Sequence, residues 1–308
     1  MSASRRIRAT ERNSARFAVV STPIGNVDDL SRRAIDVLSD ADLIFCEDTR
    51  HSGLLLSRVG VEKRRLVSLN AHNETARIAI ALDALGRDED VALVSDAGTP
   101  LVSDPGARLV AAVIDAGFPV LAIPGPSAAL AALVVSGFDT SRFEFFGFLP
   151  KSGRVRAERI GAIAKATIPS IVFESPRRLE ATLFDIALVT GEGRRIVVAR
   201  ELTKLFEEVW RGPIGEALEN ARSVEPIGEH VLVVEGGTDS SQAGGESIRA
   251  SLAALIDAGL SPGDAARAVE VLLGVPHRVA YAQRLALEGK TGAAAAEAPR
   301  RLRKANRA

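Results

Sequence analysis

The 308-residue chain has one cysteine, Cys46, and four histidines. No internal disulfide is possible, and a thiolate–imidazole zinc site has too few ligands, so no metal is expected. A reducing, cytoplasmic setting fits. No apolar run approaches the roughly 20 residues of a membrane-spanning helix. The opening MSASRRIRATERNSAR has basic residues with no apolar stretch behind them, so a signal peptide is not expected. Aromatics make up only 4% of residues, which leaves little for stacking on bases. None of the glycine-bearing loops reads GxGxxG or GxxxxGK[ST], so dinucleotide and nucleoside-triphosphate binding gain no support. An excess of charge of either sign is also missing, since 39 basic side chains balance 39 acidic ones.

What is present is a soluble, globular composition, 46% apolar and 25% charged. The balanced charge hides a segregation. Residues 1–16 carry a net +4 and residues 290–308 a net +5, leaving the body between them at −9. Such ends suit arms that meet a polyanion, although charge alone favours solvated, disordered tails.

Short apolar runs recur at FAVVS (17–21), DLIFC (42–46), RLVSL (65–69), VALVS (91–95) and PVLAI (119–123). Helical patterns lie between them, near 28–38, 74–86, 106–116 and 127–136. Strands alternating with helices predict a largely parallel sheet covered on both faces. The rhythm pauses at Gly137–Arg142 and restarts with FEFFGF (143–148), a basic helix (153–166), SIVFE (170–174), a helix from Pro176, RIVVA (195–199) and HVLVVE (230–235). The fold class expected is therefore α/β, with two α/β domains over 17–138 and 139–237 and a basic arm, 1–16, ahead of them. TDSSQAGGES (238–247) reads as a flexible linker. Residues 247–289 form a small helical module, similar to a helix-turn-helix or to a plain packing appendage. Its last helix starts at Pro276, and the basic tail 290–308 is expected to be disordered.

In an open α/β sheet, ligands bind beyond the carboxyl ends of the strands. Three glycine- and proline-rich loops lie there: Ser21–Asn26, Ser95–Gly106 and Pro124–Ser127. Each alone is tight αβ punctuation; three on one edge make a pocket. Asp48, Arg50, His72 and Glu74 follow the second and third strands and form a candidate catalytic set. A carboxylate or imidazole would serve as base and the guanidinium would meet a phosphate. Asp48 and Glu74 are equally suited to capping helices, and His72 to a satisfied place in a loop.

Taken in order, the segments STPIGNVDDLSRRAIDVL, DLIFCEDTRHS, NAHNE, VALVSDAGTPLVSDPGARLV, IPGPSAALAAL, FFGFLPKSGRVR, FESPRRL, ARELTKLFEEVWRG and GEHVLVVEGG resemble the tetrapyrrole methylase superfamily. Within it they resemble the branch that methylates a cytidine ribose 2′-oxygen in 16S ribosomal RNA, the RNA of the small ribosomal subunit. That resemblance spans Phe17–Gly237 and implies S-adenosyl-L-methionine held in a cleft between the two domains, and a homodimer. The cofactor contacts it implies are Pro23, Ala97, Gly98, Thr99, Ser127, Ala128, Phe173, Glu174, Leu202 and His230. Thr99 stands where tetrapyrrole-acting members carry Asp, which favours RNA. Two departures weaken other RNA contacts: Arg177 replaces the His that the RNA branch carries after ESP, and Gly53-Leu54-Leu55 replaces a more basic stretch.

RNA contact is expected at Lys151, Arg154, Arg156, Arg159 and Arg177 and at the basic ends, mainly through phosphates. One competing reading is a methyltransferase for a tetrapyrrole or other small molecule. Another is a non-catalytic nucleic-acid binder that works through the helical C-terminus.

Overall fold

In the computed structural model, residues 15–61, 64–223, 227–237, 243–257, 259–273 and 284 are described. The first sheet holds β1 (Phe17–Val20), β2 (Leu43–Cys46), β3 (Arg65–Ser68), β4 (Val91–Leu93) and β5 (Val120–Ile123) in the order β3-β2-β4-β1-β5. Every pairing in it is parallel. The helices between its strands are α1 (Arg32–Asp40), α2 (Thr49–Arg58), α3 (Glu74–Gly86) and α4 (Ala107–Asp115), and α5 (Ala128–Val134) follows β5.

Side-chain alternation explains the two-faced cover. Phe17, Leu43, Phe45, Val91 and Leu93 point to one face, where Ala81, Ala84, Leu85, Leu109 and Val113 of α3 and α4 meet them. Ala18, Val20, Ile44, Cys46 and Ala92 point to the other, against Ala34 and Leu38 of α1 and Leu56 of α2.

The second sheet holds β6 (Glu144–Phe148), β7 (Ser170–Glu174), β8 (Arg195–Arg200), β9 (Glu208–Pro213) and β10 (His230–Val234) in the order β6-β7-β10-β8-β9. It differs from the first sheet in direction. Only β6 and β7 run parallel; β10 opposes both β7 and β8, and β8 opposes β9. The sequence pattern shows no strand at β9, because this edge strand carries Glu208 and Arg211, ends in Gly-Pro and is only partly buried. Helices α6 (Arg154–Lys165), α7 (Leu179–Thr190) and α8 (Ile214–Ser223) cover one face through Ile160, Ile163, Leu183, Ile186 and Leu218.

The other face is covered by α5. Ala129, Ala132 and Leu133 share a core with Ile171, Val197, Val231 and Val233, and the Arg211 guanidinium donates to the Val135 carbonyl. Although α5 follows the last strand of the first sheet in the chain, its packing partner is the second sheet.

Helix α9 (Ala243–Asp257) begins inside the segment expected to be a linker. It pairs with α10 (Pro262–Leu273) through Ile248, Leu252, Ala265, Ala266 and Val269. Ser261 caps α10, its hydroxyl accepting from the Asp264 N–H at 3.1 Å, as the Ser-Pro start predicts. Nearly all of the expected third helix from Pro276, most of the N-terminal arm and the whole basic tail lie outside the described residues. Among the described residues no helix is long and apolar enough to cross a membrane.

Candidate active site

Parallel pairing sends the carboxyl ends of β1, β2, β4 and β5 to one edge. The loops there meet the ends of β6, β7 and β8 and the start of β10, and together they line a cavity of about 410 Å³. That is the size range of small-molecule sites. The first sheet supplies Ile24, Glu47, Asp96–Thr99, Val102–Asp104, Ser127 and Ala128. The second supplies Phe148, Phe173–Pro176, Ala199, Leu202 and Glu229–Val231.

Backbone pairing joins the first wall's loops. The Thr22 N–H donates to the Gly98 carbonyl at 2.8 Å and the Gly98 N–H returns to the Thr22 carbonyl at 3.1 Å. The Thr99 hydroxyl donates to the Pro126 carbonyl at 3.0 Å, tying the β4 loop to the β5 loop. An aspartate at 99 would carry no hydrogen for that bond once ionised. Gly98 sits at φ +83°, and a Cβ there would meet Ile24 Cγ2 at 3.4 Å.

The same β4 loop holds Leu101 and Ser103 at φ +74° and +75°, and the β8–β9 loop holds Glu201 and Thr203 at +50° and +66°. Left-handed non-glycine residues store strain and concentrate at ligand sites. The two units touch where Ser103 faces Gly147, at φ +60°; a Cβ on Gly147 would lie 2.6 Å from the Ser103 hydroxyl.

The second wall is built of side chains. Phe173 makes edge contacts with Phe145 at 5.0 Å and Phe148 at 5.6 Å between centroids. Glu174 is 2% exposed; it accepts from the Thr182 hydroxyl at 2.6 Å and the Ser175 N–H at 2.8 Å and ion-pairs with Arg178. The His230 Nδ1 is buried with no hydrogen-bond partner, and burial holds its pKa below the usual histidine value.

No lysine or arginine lines the cavity among the described residues, whereas Glu47, Asp96 and Asp104 do. Burial and the charges of Asp104 and Asp96 push the Glu47 carboxyl up to about 7. Burial and Asp96 likewise raise that of Asp104.

Of the residues expected at a cofactor, Ala97, Gly98, Thr99, Ser127, Ala128, Phe173, Glu174, Leu202 and His230 line this one cavity. Pro23 does not, and its neighbour Ile24 does. The catalytic set is not gathered there, and three of its members have other structural duties. Asp48 caps α2, accepting from the Arg50 N–H at 2.8 Å and ion-pairing with the Arg50 guanidinium at 2.7 Å. Hydrogen bonds from Arg50 hold the Asp48 carboxyl below the usual range. His72 stands exposed in the Asn70–Asn73 turn, its backbone N–H donating to Asn70. Glu74 is buried against the start of α4, accepting from the Arg108 and Leu109 N–H groups at 2.8 and 3.1 Å.

The expected RNA face is also corrected. Arg156 is buried, donating to Asp185 at 2.6 Å and to the Thr182 hydroxyl at 3.0 Å. It is a core residue, unable to reach a phosphate. Arg159 is half-buried and donates to the Phe146 and Phe148 carbonyls. Lys151, Arg154 and Arg177 are exposed, Arg154 beside Glu158 and Arg177 next to the cavity residue Pro176. Glu47, Asp96, Asp104 and Phe148 are among the cavity residues that sequence reasoning did not single out.

Comparison with known proteins agrees with this architecture. The family model for Tetrapyrrole (Corrin/Porphyrin) Methylases matches residues 16–218. The chain is 40% identical over 272 residues to the ribosomal RNA small subunit methyltransferase I of Synechocystis sp., covering 88% of this chain and 97% of that one. It is 43% identical over 234 residues to the protein of that name from Escherichia coli O157:H7, covering 74% and 80%. Among solved structures, a cobalt precorrin-4 methyltransferase of cobalamin biosynthesis shares the fold at a TM-score of 0.56 and 15% identity, over 71% of this chain and 94% of that one. A uroporphyrin III C-methyltransferase from Thermus thermophilus shares it at 0.53 and 16%, over 72% and 97%. The chain belongs to the tetrapyrrole (corrin/porphyrin) methylase family, and is a methyltransferase of the branch whose members are named ribosomal RNA small subunit methyltransferase I.

Proposed function

We propose that the protein transfers a methyl group from S-adenosyl-L-methionine to the 2′-hydroxyl of a cytidine ribose in 16S ribosomal RNA. The observation that carries the donor is the cavity lining. Carboxylates with no lysine or arginine among the described residues suit a cationic ligand, and apolar Ile24, Phe173, Leu202 and Val231 suit its flat heterocycle. The orphaned His230 Nδ1 offers a buried polar contact.

The donor supplies a methyl group made electrophilic by its positive sulfur. The chain's part is to hold and orient. Ala97, Gly98, Thr99, Ser127 and Ala128 present backbone groups from loops that their own pairing makes rigid. Phe173, Leu202 and His230 close the opposite side, and Glu174 fixes the β7 end through Thr182. Pro23 acts through Ile24. Arg177, beside the cavity residue Pro176, and the exposed Lys151 and Arg154 receive phosphates. Alignment of the acceptor oxygen accounts for much of the rate.

RNA rather than a porphyrinoid is supported by the names of the relatives and by the lining, which would repel a polycarboxylate ring. A homodimer in the cytoplasm is supported by the exposed Leu130 and Val134 of α5 and by a free, buried Cys46. Incubation with methyl-labelled donor and either 30S subunits or a porphyrinogen tests the reading. Label in a ribose 2′-O-methyl cytidine, mapped by nuclease digestion and mass spectrometry, is the expected result; label in the porphyrinogen would overturn it.

A further inference from the structure

We propose that Glu47, and neither of its neighbours Asp48 and Cys46, is the base that takes the proton from the acceptor hydroxyl. The inference rests on the methyl-transfer reading above. In the step, the hydroxyl oxygen forms a bond to the methyl carbon, the carbon–sulfur electron pair returns to sulfur, and the proton passes to the Glu47 carboxylate. The sulfonium donor leaves as a neutral thioether and the charges cancel.

Position is the first ground. Glu47 is the first residue beyond β2 and lines the cavity where the two sheets meet, whereas Asp48, one residue on, does not. A group that is to take a proton must reach the reacting oxygen before its basicity matters.

Freedom is the second. Among the described residues no lysine or arginine forms an ion pair with Glu47, and the nearby Asp96 backbone N–H favours its charged form only slightly against burial. Two other carboxylates of the cavity, Glu174 and Glu229, are held in ion pairs. Asp96 accepts from the Asp48 N–H at 3.1 Å, and Glu174 is enclosed by Thr182, Ser175 and Arg178. Glu229 is ion-paired with Lys204 at 3.0 Å.

Tuning is the third. The charged and titratable groups facing Glu47 are Asp96 and Asp104 from the β4 loop and Cys46 on its own strand. Partial burial, with two like charges beside it, gives a carboxylate that binds a proton near neutrality, where a base is most effective. Cys46 is fully buried, and burial raises its thiol pKa, so it stays protonated.

The full chain tests this in three measurements on Glu47→Gln and Glu47→Asp. Glutamine imitates the protonated carboxyl, so the fold is retained. Single-turnover methyl transfer to 30S subunits at saturating donor should fall about 100- to 1000-fold in Glu47→Gln. Calorimetric affinity for S-adenosylmethionine should fall far less than the rate does, since Asp96 and Asp104 remain in the lining, and Glu47→Asp should recover part of the rate. The wild-type rate should climb with pH and level off near 7, and Glu47→Gln should lose that limb.

Without donor or RNA, a carbon-13 NMR titration should show one glutamate carboxyl with a midpoint near 7 that vanishes in the variant. A Glu47→Gln rate equal to wild type, or a loss of donor affinity as large as the loss of rate, overturns the role of Glu47 and leaves the methyl-transfer reading standing. So does a titration midpoint below 5. A wild-type enzyme that labels no RNA overturns the reading, and this inference with it.

Discussion

The two sheets reach the same cavity by different means. In the first, four parallel strands end at one edge, and the wall is made of loop backbone joined by bonds such as Thr22 to Gly98. In the second, antiparallel pairing brings strand ends and a strand start together, and the wall is made of side chains such as Phe173 and His230. A backbone wall is vulnerable to added atoms, and a side-chain wall to removed ones.

The largest effect should come from adding atoms to the first wall. Gly98→Val imposes a β-branched residue on φ +83° against Ile24. About 3 kcal/mol of strain corresponds to a loss of roughly a hundredfold in S-adenosylmethionine affinity, read by calorimetry. A normal affinity would break the comparison. Stability contrasts the units next. Arg156→Ala strands Asp185 and Thr182 in the second unit and should cost about 2–3 kcal/mol in urea unfolding, with RNA affinity unchanged at fixed salt. Glu74→Ala in the first unit uncaps α4 and should cost about 1–2 kcal/mol by the same measurement. Trimming the second wall should do less to binding than Gly98→Val does: Phe173→Leu forfeits edge contacts worth about 1 kcal/mol, about fivefold in donor affinity.

The smallest effect is one of sign. Glu47 has a folded pKa above its unfolded value, so it favours the fold below pH 4.5, and that contribution is lost as pH rises through about 7. His230 has a folded pKa below its unfolded value, so the unfolded chain binds the extra proton and stability is lost as pH falls below 6.5. Glu47→Gln should therefore raise the urea midpoint at pH 8 and leave it unchanged at pH 4.5. His230→Gln should flatten the acid limb and leave pH 8 unchanged. Identical profiles for both variants would refute the contrast.

The same contrast explains what the sequence reveals. β1, β2 and β4 are legible because burial on both faces makes each a short apolar run. β9 is not, since this edge strand alternates weakly, carries Glu208 and Arg211 and ends in Gly-Pro. The cofactor loops are legible through glycine, proline and the family pattern. The acid-base residue is not, because Glu47 and Asp48 differ only in where β2 stops and which way the next side chain turns. Arg156 was readable in principle: with Ile160 and Ile163 it falls at i, i+4 and i+7, the buried stripe of α6. Its charge obscures a position that periodicity assigns to the core.

Helix α5 has a consequence for the order in which the chain is made. Synthesis runs from the N-terminus, and α5 is complete long before β7, β8 and β10, whose faces it covers. Ala129, Ala132 and Leu133 must therefore wait with their apolar side uncovered until some hundred further residues have left the ribosome. A cut after residue 138 would leave one fragment with an orphaned sticky helix and the other with a bare sheet face. A cut between β5 and α5, at Pro124–Gly125, would leave α5 with the sheet it covers and take only Ile24 from that core.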